Sequence, residues 1–129
     1  MLEQYKQMIG RTMPVVRYDA KHDVLRFEAT DGYVCEFYYK QDCCEDVLIE
    51  DIVGDLADLR DAPLVQAECT GQQSVPSEKR LVDETGTWTF YKFATAKGSV
   101  TVRWGGYSNG YYSEAVDFRE FAPGHGAAQ

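Results

Sequence analysis

The chain has 129 residues, with 13 basic side chains against 21 acidic ones, a formal net charge of -8, 44% hydrophobic residues and 13% aromatics. One domain is the default at this length, a core burying roughly 70% of the unfolded surface needs no disulfide or structural metal, and the aromatic content excludes disorder and collagen-like structure. No apolar run approaches the ~20 residues of a membrane-crossing helix, and the opening Met1-Leu2-Glu3-Gln4-Tyr5-Lys6 lacks the basic flank and apolar core of a secretion signal, so the expected compartment is the cytoplasm.

Leu2, Tyr5, Met8 and Ile9 recur at helical spacing before Gly10, which predicts a short helix over residues 2–9. Pro14 restricts residues 12–18 to an edge strand. Residues 24–30 and 33–40 flank Asp31-Gly32, a pair that supplies the positive φ of a tight hairpin. Leu25, Phe27 and Ala29 then share one face, as do Tyr33, Cys35, Phe37 and Tyr39 on the partner strand. Residues 46–53 are β-branched enough to predict a strand entering a turn at Gly54, followed by one helical turn over residues 55–59 that Asp55 caps. Residues 64–69 read as a strand and 70–84 as a polar loop.

The last third is rich in aromatic and β-branched residues and predicts three antiparallel strands, residues 87–95, 99–104 and 111–121. Ala96-Lys97-Gly98 reads as a three-residue turn, and residues 105–110 as a longer, Gly-rich connection. Gly and Ala dominate from Ala122 onward, so the domain is expected to be residues 1–121 with a flexible tail, 122–129. The fold class is α+β: mainly an antiparallel sheet, curled or barrel-like, with one or two short helices.

A three-residue turn puts Trp88, Phe90 and Ala94 on the core face with Val100, Val102 and Trp104, to which the next strand adds Val116 and Phe118. The opposite face then carries Tyr91, Phe93 and Arg103, followed by Tyr111, Ser113 and Asp117. An arginine among aromatics can stack on a planar ring and grip a phosphate or carboxylate. The structural reading of the same residues pairs Arg103 with Asp117. The loop through Asn109, Tyr111 and Tyr112 adds an amide and phenols suited to a polar ring, though Asn-Gly also serves ordinary turns.

Residues 42–61 hold eight acids and one base, a local charge of -7. Such a field disfavours direct binding of duplex nucleic acid, leaves room for a basic partner at Asp42, Glu45, Asp46, Asp58 and Asp61, and also keeps a small protein soluble. Asp42, Glu45, Glu50 and Asp51 are chemically acceptable ligands for magnesium or calcium. Cys35, Cys43, Cys44 and Cys69 match no zinc spacing, so free thiols are expected; the Cys43-Cys44 pair leaves a vicinal disulfide or soft-metal role open. No nucleophile motif or phosphate-cradling loop is present, and no cofactor is expected.

The strings Gln41-Asp42-Cys43-Cys44-Glu45, Ile49-Glu50-Asp51-Ile52-Val53-Gly54-Asp55-Leu56, Trp88-Thr89-Phe90-Tyr91-Lys92-Phe93-Ala94-Thr95 and Ser108-Asn109-Gly110-Tyr111-Tyr112-Ser113-Glu114 resemble, over roughly residues 9–120, a numbered domain-of-unknown-function family of small phage and bacterial proteins. The resemblance brings no established activity. It implies a context in which small accessory proteins counter a host defence system by binding rather than turnover. The expected function is therefore sequestration of a small anionic, nucleotide-type molecule by Tyr91, Arg103, Asn109, Tyr111 and Tyr112. The alternatives are an acidic inhibitor, or nucleic-acid mimic, engaging a basic host protein, and a small carboxylate-metal hydrolase. No membrane association is expected, and exposed strand edges leave a homodimer open.

Overall fold

Apolar residues two apart along the N-terminal strands give each of them one apolar face. Strands β1 (Val15–Asp19), β2 (Val24–Glu28) and β3 (Val34–Tyr38) pair antiparallel in that order, and β8 (Asp117–Phe121) pairs with β3. A second sheet has the order β4-β7-β6-β5, from β4 (Asp46–Val53), β7 (Gly98–Ser108), β6 (Thr85–Thr95) and β5 (Gln66–Ser74). The computed structural model describes residues 4–40, 45–76, 85–109 and 114–121.

The two inner faces meet through aromatic rings. Phe37 lies 4.9 Å from Tyr91 and 5.4 Å from Phe93, and Phe27 lies 5.1 Å from Phe93, between ring centroids. Tyr5 and Met8 on one 3-10 turn (Gln4–Met8) and Leu59 on another (Leu56–Leu59) are buried in the same core. The expected mainly antiparallel β architecture is therefore present. Its curled form is two facing sheets rather than a closed barrel, with β1 and β8 edging one sheet and β4 and β5 the other. Both expected helical segments are 3-10 turns among the described residues. Asp55 caps the second as expected, accepting from the Ala57 backbone N–H at 2.9 Å.

Two turns exchange their predicted lengths. Asp31-Gly32 does turn the β2–β3 hairpin, but through three residues, with positive φ at Gly32 alone among them and the Ala29 N–H donating to Tyr33 O at 2.7 Å. Conversely, Thr95 pairs with Gly98, leaving only Ala96 and Lys97 in the β6–β7 turn. Removing one residue from that turn shifts the register by one and reverses the face of β6. Tyr91 and Phe93 therefore point into the core opposite Val102 and Val100, while Trp88 and Phe90 face outward with Arg103.

Other boundaries move for local reasons. The β5 strand continues to Ser74, past the predicted loop boundary at residue 70, because a bulge between Cys69 and Gly71 lets its polar second half keep pairing with β6. Gly105 and Gly106 belong to β7 rather than to a loop. The final strand is shorter than expected and lies in the other sheet. Before it, Glu114 accepts from Thr87 Oγ1 at 2.8 Å and Ser108 Oγ at 2.6 Å, and a Cβ at Gly106 would strike its backbone.

Candidate ligand-binding faces

On the first sheet, the third residue of each five-residue strand points outward, and register aligns the four in one row: Arg17, Arg26, Glu36 and Arg119. Arg26 is only 4% exposed and donates to Glu28 Oε2 and Glu36 Oε2, both at 2.7 Å. The other oxygen of Glu36 accepts from Arg119 Nε at 2.7 Å, while the Arg119 guanidinium lies 4.0 Å from the Tyr38 ring centroid. Glu36 thus fixes two arginines, and each also lies over an aromatic ring, Arg119 on Tyr38 and Arg26 at 5.7 Å from the Phe121 centroid.

Arg17 stands directly opposite Arg26, an arrangement in which like charges repel. Neither exposed Arg17 nor exposed Lys40 pairs with an acid among the described residues. Both line a concavity of about 490 Å³ together with His22, Tyr38, Tyr39 and Arg119. Asp19 also borders it, but its carboxylate is engaged by His22 Nδ1 at 2.8 Å and by the Lys21 N–H at 3.0 Å. The His22 hydrogen bond, foremost, holds the Asp19 carboxyl below its ordinary range. In a chain of charge -8 this face has a local cationic excess, chemically suited to an anion.

The second sheet's outer face is built differently. Pairing shifts between Ile49 and Asp51, so Glu50 is the extra residue of a bulge in β4. Its carboxylate lies over Gly105, where a Cβ would collide with it. Trp88 Nε1 donates to Glu50 Oε1 at 2.9 Å, and the Tyr107 hydroxyl donates to Oε2. Burial first, and the bond to Glu50 second, raise the Tyr107 phenol above its ordinary pKa. Arg103 lies with its guanidinium 4.5 Å from the Trp88 ring and its Nε 3.5 Å from Glu50 Oε1, an ion pair without a hydrogen bond. These side chains, with Leu48 and Ile49, line a concavity of about 600 Å³.

The residues singled out from the sequence thus separate. Arg103 is outward-facing, as strand alternation requires, but its acidic neighbour is Glu50 rather than Asp117. Tyr91 is 4% exposed and packs on Phe37 and Tyr5, so it is a core residue and not part of a surface site. Asn109 is exposed just beyond β7, whereas Tyr111 and Tyr112 lie outside the described residues.

Of the acids, Asp46 and Asp61 are exposed and Asp58 is half-buried beside Gly98. Glu45 is 2% exposed and accepts from the Tyr39 hydroxyl at 2.7 Å, so it is not available to a partner. Asp42, Cys43 and Cys44 lie outside the described residues. Among the described residues no three His, Cys, Asp or Glu gather at metal-binding distance. No helix among them is long and apolar enough to cross a membrane.

The first-sheet row escaped the sequence reading although its signal is present: each short strand carries a charged residue at its centre. Glu50 and Trp88 escaped because a bulge and a one-residue register difference decide where they point.

Fold and faces together define a two-sheet antiparallel β protein bearing a polar concavity on each outer side. The sequence matches the family described as Domain of unknown function (DUF7448) over residues 6–118, and the chain belongs to that family. No curated protein and no solved structure matches it.

Proposed function

We propose that the protein is a non-catalytic binding module that captures a small anionic, nucleotide-type molecule on the outer face of its first sheet. The observation that carries this reading is the pair of exposed cations, Arg17 and Lys40, which meet no acid among the described residues and stand beside an arginine row already braced by Glu36. An anion placed there relieves the repulsion between Arg17 and Arg26 and receives charge-assisted hydrogen bonds. Tyr38, which lines the concavity under the Arg119 guanidinium, supplies aromatic surface for a planar group. This moves the expected anion site from Arg103, whose charge Glu50 already offsets, to the other sheet. In the setting implied by the family resemblance, the captured molecule is a host defence signal.

Calorimetric titration with pyrophosphate and with adenosine monophosphate tests the site. Wild type binds both, and the double variant Arg17→Ala, Lys40→Ala binds at least about tenfold more weakly while melting within a few degrees of wild type, since both residues are exposed and meet no acidic partner among the described residues. Unchanged affinity in the double variant, or no heat from either anion with wild type, refutes the reading.

A further inference from the structure

The geometry points to a second site, on the outer face of the second sheet, for a neutral heterocycle that presents an N–H donor beside a carbonyl acceptor on one edge. This is the lactam edge of guanine, hypoxanthine or uracil. The site is independent of the anion site: it lies on the opposite side of the protein and requires no phosphate.

Its hydrogen-bonding inventory sets the ligand chemistry. The Glu50 carboxylate has about four lone-pair positions, of which the Trp88 indole N–H and Tyr107 hydroxyl use two. Those same two bonds, the bulge in β4 and the bare backbone of Gly105 hold the carboxylate in place against the sheet. Its side chain is 20% exposed, so acceptor capacity remains open to a ligand.

Beside it, Arg103 is stacked on Trp88 yet makes no hydrogen bond to Glu50, and its side chain is 32% exposed. An acceptor and a set of guanidinium donors therefore lie next to each other within an aromatic-walled concavity. A heterocycle whose ring N–H meets Glu50 and whose carbonyl meets Arg103 completes both.

Local charge selects against a phosphorylated version. Asp51 occupies the register position opposite Arg103 and Asp46 the position opposite Tyr107, and both are exposed on the flanking strand. With Glu50 they outnumber Arg103, which makes this edge unfavourable for an anion. The preferred ligand class is thus a free base or nucleoside.

Tryptophan fluorescence reads this site selectively, because Trp88 lines the concavity while Trp104, the other tryptophan, is 1% exposed in the core. Intact protein is titrated with guanosine, inosine, adenosine and N1-methylguanosine. Guanosine and inosine are expected to quench saturably. Adenosine lacks the lactam edge and N1-methylguanosine lacks the N–H, so each should bind about tenfold or more weakly. Glu50→Gln should lower guanosine affinity similarly, with near-ultraviolet circular dichroism checking that the fold persists; the methylated nucleoside decides the matter on wild-type protein if it does not.

Equal quenching by guanosine and N1-methylguanosine overturns the inference. So does an absence of saturable quenching by guanosine. Neither result bears on pyrophosphate binding at the first sheet.

Discussion

The carboxylate of Glu36 accepts from Arg26 on one strand and Arg119 on another while the residue itself is only 7% exposed. Breaking a buried pair by removing one charge leaves the partner uncompensated and typically costs about 3–5 kcal/mol. Glu36→Gln is therefore expected to lower stability by about 3 kcal/mol or more in urea denaturation, whereas Arg17→Ala leaves it within about 0.5 kcal/mol. Equal, small effects of the two substitutions would show that the row is not braced by Glu36. Buried acids of another kind set the alkaline limit. Burial, before any other cause, raises the Cys35 thiol and the Tyr33 and Tyr91 phenols above their ordinary values, and the carboxylate of Glu120 adds to the effect on Tyr33. Above about pH 8.5 for a thiol and about 10 for a phenol, the unfolded chain releases protons that the folded chain retains. The unfolded state then binds fewer protons, so stability falls as pH rises and is present in full below those values. The urea midpoint should decline above about pH 8.5 and more steeply beyond about 10; a midpoint constant through that range contradicts the burial of these groups.

At the scale of elements, the first strands are legible because Leu25 and Phe27 flank Arg26 and Cys35 and Phe37 flank Glu36, a pattern that favours one inward face. This is why the β2–β3 hairpin is legible even though its loop has three residues rather than two. The β6 strand carries aromatics on both faces, Trp88 and Phe90 against Tyr91 and Phe93, so its pattern admits two registers and only the turn decides. Glycine was equally ambiguous. Gly98 resembles a left-handed turn residue yet pairs within the strand, and Gly105-Gly106 resembles a loop although it clears space for Glu50 on one face and Glu114 on the other. Side chains seated against bare backbone have no local sequence signature, so half of the second candidate site was not legible. Gly105→Ala tests this packing: its new methyl group displaces the Glu50 carboxylate, the end of a flexible side chain, so the Trp88 fluorescence should change while the melting temperature moves little. Trp88 fluorescence identical to wild type would contradict the placement of Glu50 over that backbone.

For the whole molecule, the net charge of -8 conceals a division: exposed acids follow β4 and the turn after it, while the outer face of the first sheet carries the Arg17, Arg26 and Arg119 row and Lys40. Composition gives only the sum, and the charged residues at the strand centres become a cationic face only once the register aligns them. An anion at that face is held by exposed cations, so its binding weakens as salt screens the contacts of Arg17 and Lys40. The most direct measurement is a nuclear magnetic resonance titration of isotope-labelled protein with pyrophosphate at two salt concentrations. The account predicts shifts confined to Arg17, Lys40, Arg119 and the backbone between them, with weaker binding at the higher salt, while the Arg103 and Trp88 side-chain signals stay fixed. Shifts centred on Arg103 with Arg17 and Lys40 unmoved would contradict it.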